Sequence, residues 1–216
     1  IDKHKDLLLA LSFGAVAAFL WINEPLPENF FAVGPYPPTN QYFPYADPQN
    51  YDLGGQFALI GEGLYQGRYM DRAFLGGFLA ILHLLVGQNY EVVVALQTIL
   101  FAALPAILYL LGTRLHSRIA GVFLALLSIF KVLNAIASST LILSVHPKYM
   151  LTEFATGILL ALYGLWLVQW VQKDKPSVLL LAGGALGWGI MLRTHLLVFI
   201  ILFLILSVSI FAQPTD

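Results

Sequence analysis

Two aspartates five positions apart stand in the stretch Ala46-Asp47-Pro48-Gln49-Asn50-Tyr51-Asp52-Leu53-Gly54-Gly55-Gln56. A third acid, Glu153, follows much later in Tyr149-Met150-Leu151-Thr152-Glu153, where an apolar run begins. Arg72, Lys148, Arg193 and His195 are the cations flanking apolar runs on the same side of the chain's alternating pattern. A carboxylate can take the proton from a hydroxyl nucleophile, and the planar fork of arginine suits a phosphate. Each residue also has an ordinary use. Asp47 before Pro48 reads as a helix N-cap, worth about 1 kcal/mol. Asp52 reads as a first-turn acid favoured by the helix dipole. Glu153 reads equally as a boundary glutamate or as a functional acid. Arg193 between two apolar runs reads as a side chain snorkelling to the lipid headgroups or as a phosphate clamp.

The elements that must hold these residues are membrane helices. The 216 residues are 59% hydrophobic and 11% charged, with a mean hydropathy of +0.79. Apolar runs near the ~20 residues needed to cross a bilayer recur along the chain. Only helices or closed barrels pair every backbone group in lipid, so the expected fold is all-α: a polytopic bundle forming a single membrane domain over residues 1–216. A net charge of −1 gives no sign of a nucleic-acid partner, and the absence of cysteine excludes disulfides and thiolate metal sites. The chain starts at Ile1 rather than methionine and stops soon after an apolar run, so further sequence is expected at either end.

Residues 1–22 hold a charged head and the first span, over 7–22. No small-residue cleavage site follows in Asn23-Glu24-Pro25-Leu26-Pro27, so the span is read as retained rather than as a signal peptide. Residues 23–90 form a long outer loop. Its first half is dense in proline (Pro25, Pro27, Pro35, Pro37, Pro38, Pro44) and aromatics, which excludes helix and favours extended chain. An amphipathic helix is expected from Asp47, with Leu53, Phe57, Ile60 and Leu64 on its apolar face. The apolar stretch 73–86 is short for a span and reads as an interfacial or re-entrant helix. Residues 91–216 carry five further spans, giving six in all: 91–111 with a kink at Pro105, one beginning at 119, then 151–171, 178–192 and 196–212. Gly183 and Gly187 in the fifth are spaced for close helix packing. The basic turns at Lys3/Lys5, Arg114/Arg118 and Lys173/Lys175 are expected in the cytoplasm. That places the long loop, Glu153 and Arg193 outside, provided 73–86 does not cross. His83 and His116 have no evident partner in sequence.

The ordered series of segments resembles the GT-C superfamily of integral-membrane glycosyltransferases. The closest likeness is to the branch of protein mannosyltransferases and aminoarabinose transferases. The segments carrying it are "ADPQNYDLGGQFALIGEGLYQGRY", then "LVGQNYEVVVALQTILFAALPAILYLLGTRLHSRIAGVFLALL", then "YMLTEF". Asp47 and Tyr51 match an acid-and-tyrosine motif of the first outer loop, continued by Leu59, Leu64 and Gly67. Gly112, Arg114, Leu115, Arg118, Ala120 and Gly121 match a cytoplasmic turn; Leu151, Thr152 and Glu153 match a later span start. Two departures stand out: Ala73-Phe74 replaces a proline pair after Arg72, and six spans are fewer than the family's usual number. A truncated or non-catalytic relative is therefore the alternative.

The resemblance implies an integral protein of a bacterial inner or plasma membrane, N-terminus cytoplasmic. It would transfer a sugar from a polyprenyl-phosphate carrier to an acceptor at the outer face. Asp47 would be the base, with Asp52 beside it. Glu153 would orient the acceptor or bind a divalent metal ion together with Asp47. Arg72, Lys148 or Arg193 would hold the carrier phosphate. The partners would be membrane lipid, the donor and, for a non-catalytic relative, other membrane subunits. A transporter, the third class, wants polar residues near mid-membrane, and only the segment 131–140 offers them.

Overall fold

The computed structural model describes residues 3–65, 72–173 and 175–211. Gln66, Gly67 and Asp71, which the sequence reading placed in the long loop, and Ala212 at the end of the last expected span lie outside them. The protein is mostly helical: α1 (Lys3–Asn23), α2 (Asp47–Leu59), α3 (Ala73–Val86), α4 (Tyr90–Phe101), α5 (Ala103–Leu115), α6 (Arg118–Ala137), α7 (Thr152–Lys173), α8 (Pro176–Leu192) and α9 (Val198–Phe211). Among the described residues, four helical stretches are long and apolar enough to cross a membrane: His4–Asn23, Tyr90–Leu115, Arg118–Ala137 and Thr152–Lys173. Large side chains such as Leu8, Phe19, Phe123, Leu127 and Phe130 are exposed along them. An apolar surface of that extent is what lipid covers and water does not. The protein is thus an integral membrane helical bundle.

Local chemistry sets the boundaries. The Asn89 side chain accepts from the Val92 amide to start α4, and Ser117 accepts from Ala120 to start α6. Pro105 brings no amide hydrogen to the carbonyl one turn earlier, and the long apolar run breaks at Ala102, between α4 and α5. Pro176 opens α8 at a position where a missing N–H costs nothing. The most extensive pairings are between sequence neighbours, α7 with α8, α5 with α6 and α2 with α3, as short connections demand. Trp21, fully buried on α1, donates its indole N–H to Ile129 O of α6 at 3.2 Å and ties the first helix into the bundle.

The all-α expectation omits one feature. The proline-rich first half of the loop folds as a hairpin, β1 (Ala32–Tyr36) against β2 (Gln41–Pro44), antiparallel with Val33 opposite Phe43. Extended chain was the expectation there. Aromatic contacts hold this hairpin against the bundle: Phe31 meets Tyr149, in the loop before α7, at 5.3 Å and Phe43 meets Tyr90 of α4 at 5.5 Å, both edge-on.

The amphipathic helix also differs from its expected form. It ends at Leu59, and its buried residues are Pro48, Tyr51, Asp52 and Gly55. Leu53 and Ile60, on the expected apolar face, are exposed, Ile60 at 74%. The inward face is set by backbone approach rather than hydrophobicity. A side chain on Gly55 would meet Gly76 O of α3 at 2.9 Å, so only glycine lets α2 lie this close to α3.

Candidate functional site

Asp47 is the first residue of α2, and no side-chain bond caps this helix. The cap position falls on Ala46, whose φ of 56° is in the left-handed region, a conformation costly for a residue with a Cβ. The expected N-cap role of Asp47 is therefore corrected: the backbone turn at Ala46 puts Asp47 one place too late to accept from the first-turn amides. One turn on, Tyr51 points into the protein and is buried.

Tyr51 is where the parts of the chain meet. Its hydroxyl hydrogen-bonds with Arg72, the residue preceding α3, and the charges of Asp47 and Glu153 both reach it. Burial pushes the Tyr51 phenol above its ordinary range, partly opposed by the Arg72 contact, with the two carboxylates adding to the rise. It stays a neutral hydroxyl at physiological pH. Glu153 lies in the first turn of α7 and forms an ion pair with Arg193, which ends α8. Arg193 also donates through Nε to Thr152 Oγ1 at 2.8 Å. The helix dipoles favour an acid at the start of α7 and a cation at the end of α8, so both charges are stable where the fold puts them. The α7–α8 hairpin, α2 and the start of α3 thus bring two carboxylates, two guanidinium groups and a phenol to one end of the bundle.

Beside this group runs an apolar crevice of about 260 Å³ between α3, α4 and α7, lined by Phe74, Phe78, Leu100, Phe101, Ile158 and Leu159. Phe74 is two residues after Arg72, and Ala155, also in its wall, is two after Glu153.

Two of the expected site residues sit elsewhere. Lys148 donates to Ile22 O at 3.1 Å and to Glu24 O, closing the carbonyls left open at the end of α1. Asp52 lies about 140° around α2 from Asp47, since five residues at 100° each leave that remainder. It is 2% exposed. Its carboxylate accepts from His83 Nε2, Tyr90 OH and Gln56 Nε2, each at 2.6 Å. His83 Nδ1 faces Gly87 O at 2.9 Å. Both ring nitrogens of His83 therefore face acceptors, which requires both to carry hydrogen. The Asp52 hydrogen bond accordingly raises the His83 pKa above its ordinary value, against the effect of burial. This network locks α2, α3 and the start of α4 behind the Asp47 face. The sequence carried one trace of it, Gln56 one helical turn from Asp52; the His83 and Tyr90 partnerships were not legible.

Among the described residues there is no group of three or more His, Asp or Glu side chains placed to hold a metal ion. Asp47 and Glu153 supply two carboxylates, and a magnesium ion there would need oxygens from a bound phosphate to complete its shell. No family model, curated protein or solved structure matches the chain.

Proposed function

We propose that the protein transfers a sugar from a polyprenyl-phosphate carrier to an acceptor hydroxyl at the outer membrane face. The observation that supports this reading is the convergence of Asp47, Arg72 and Glu153 on Tyr51, with Arg193 joined through Glu153. In the proposed reaction the acceptor oxygen attacks the anomeric carbon and its proton passes to the Asp47 carboxylate. The bond from that carbon to the phosphate oxygen breaks, and its electron pair stays on the phosphate. Arg72 and Arg193 neutralise the charge that develops there, and Glu153 orients Arg193 and the acceptor. The apolar crevice beginning at Phe74 takes the first isoprene units of the carrier. In this reading α8 and α9 complete six spans, the Asp6 and Arg118 end of the bundle is cytoplasmic, and the membrane is a bacterial inner or plasma membrane.

A non-catalytic membrane subunit is the second reading, and one observation favours it. Gly183, Gly184 and Gly187 on α8 would carry a side chain with nothing within 4 Å, and Trp188 beside them is exposed. Bare backbone of this kind is what another helix packs against in lipid.

The deciding measurement is donor turnover by the purified protein in lipid, over a panel of polyprenyl-phosphate sugars. Asp47→Asn, which keeps the size and shape of the side chain, is expected to lower turnover about 10²–10⁴-fold, the range of a lost general base, while the protein still folds, as read by its thermal unfolding transition. If no donor in the panel is bound or turned over, the transferase reading fails.

A further inference from the structure

The end of the bundle away from Tyr51 holds a cavity of about 540 Å³, walled by Asp6, Leu7, Leu110, Thr113, Arg114 and Lys173. It lies where α5 packs against both α1 and α7, while those two helices make no extensive pairing with each other. Two helices set apart on a third leave a wedge that opens sideways. Leu7 at its edge is exposed, on the apolar flank that lipid covers.

Two cations and one acid line this wedge, and the charge of the acid is already answered. Asp6 Oδ1 accepts from Arg118 Nε at 2.7 Å and from Tyr109 OH at 3.2 Å, and Oδ2 is buried and closed to the cavity. The space is therefore left with the positive charge of Arg114 and Lys173, in the last turns of α5 and α7. Gln172 Nε2 donates to Arg114 O at 2.9 Å, which holds the two cation-bearing turns side by side. Among the described residues, no ion pair engages the Arg114 guanidinium.

A guanidinium fork and an ammonium lining one space select an anion, and the fork suits the two free oxygens of a phosphodiester. The volume falls within the range of about 300–1,000 Å³ usual for small-ligand sites. The sideways opening and the apolar edge at Leu7 and Leu110 favour a ligand with acyl chains over a free phosphate. Basic pockets between spans are a recurrent way of holding anionic headgroups.

We propose that this cavity binds the phosphodiester headgroup of an anionic lipid, its phosphate between Arg114 and Lys173 and an acyl chain along Leu7 and Leu110. The proposal is independent of the sugar-transfer reading, since it uses none of the same residues and sits at the other end of the helices.

The test is native mass spectrometry of the purified chain equilibrated with equal amounts of two lipids of identical acyl chains, one with a glycerol and one with a choline headgroup. The anionic glycerol lipid is expected to be retained about tenfold over the choline lipid, whose cation meets two others in the cavity. Arg114→Gln and Lys173→Gln are each expected to reduce that preference several-fold, and Arg114→Lys, which keeps the charge, to retain most of it. The Gln172 bond reaches the Arg114 backbone, so it survives each Arg114 substitution. Lys131→Gln, at an exposed cation on α6 outside the cavity, is expected to leave the preference unchanged. Soluble glycerol phosphate at the lipid's concentration is expected not to displace it. Equal retention of the two lipids, indifference to Arg114→Gln and Lys173→Gln, or an equal loss with Lys131→Gln would each overturn the proposal. Displacement by glycerol phosphate would overturn it in favour of a soluble phosphate ligand.

Discussion

At the scale of single residues, two histidines give the protein opposite responses to pH. His83 is held protonated by Asp52, so its folded pKa lies above the ordinary value. Its contribution is complete below about pH 6.5, the unfolded value, and is lost as pH rises through the folded one. The stability difference between the native protein and His83→Gln is therefore expected to shrink as pH rises above about 6.5, read as thermal midpoints in detergent. His146 is the reverse case. It is fully buried in the loop before α7, stacked at 3.8 Å on Tyr149. Burial, helped by the Lys148 charge, pushes its pKa down to about 3. The fold holds it neutral, so its contribution is present above about pH 6.5 and is lost as pH falls toward 3. His146→Phe keeps a ring in the stack and is expected to flatten the acid limb of the stability profile. An acid limb as steep as that of the native protein would assign the loss to other groups.

The element scale is governed by how closely helices approach. Gly54 and Gly55 are neighbours on α2 with opposite demands. A Cβ on Gly54 meets nothing within 4 Å, whereas one on Gly55 lies 2.9 Å from Gly76 O and 3.0 Å from Ala80 N, both backbone atoms of α3. Gly54→Ala is expected to be neutral or stabilising by up to about 1 kcal/mol through helix propensity. Gly55→Ala must push the two helices apart, at a cost of about 1–3 kcal/mol, and it also strains the Asp52–His83 bond between them. Thermal midpoints of the two variants compare the effects directly; equal midpoints would mean that α2 and α3 do not touch at Gly55.

For the whole molecule, the placement of charge along α7 fixes which groups share a side. Glu153 opens the helix and Gln172 near its end bonds Arg114. The 22 residues of α7 span about 33 Å, enough to cross a bilayer. The Asp6–Arg118 pair and the Glu153–Arg193 pair are therefore at opposite ends of the bundle. The chain has no cysteine, so single cysteines report without background. His116→Cys, in the turn beside the Ser117 cap, and Thr194→Cys, just beyond Arg193, are both at exposed positions. An impermeant thiol reagent is expected to label them from opposite sides in oriented vesicles; labelling of both from one side would overturn the arrangement.

The amino-acid sequence alone determined the helical membrane class, the break near Pro105, the helix start at Asp47, and which charged turns share an end. These follow from local chemistry and from the need to pair every backbone group in lipid. It did not determine which face of α2 turns inward. The apolar residues Leu53 and Ile60 were expected to face either lipid or the bundle; both are exposed, and Tyr51 and Asp52 are the buried ones. Where the surroundings are themselves apolar, hydrophobicity no longer separates inside from outside, and the glycine contact with α3 chooses instead. Nor could the sequence pair Asp52 with His83, 31 residues away, or bring Arg72 and Glu153 to the same phenol. Those partnerships depend on how helices from distant parts of the chain are stacked, and only the tertiary structure decides that.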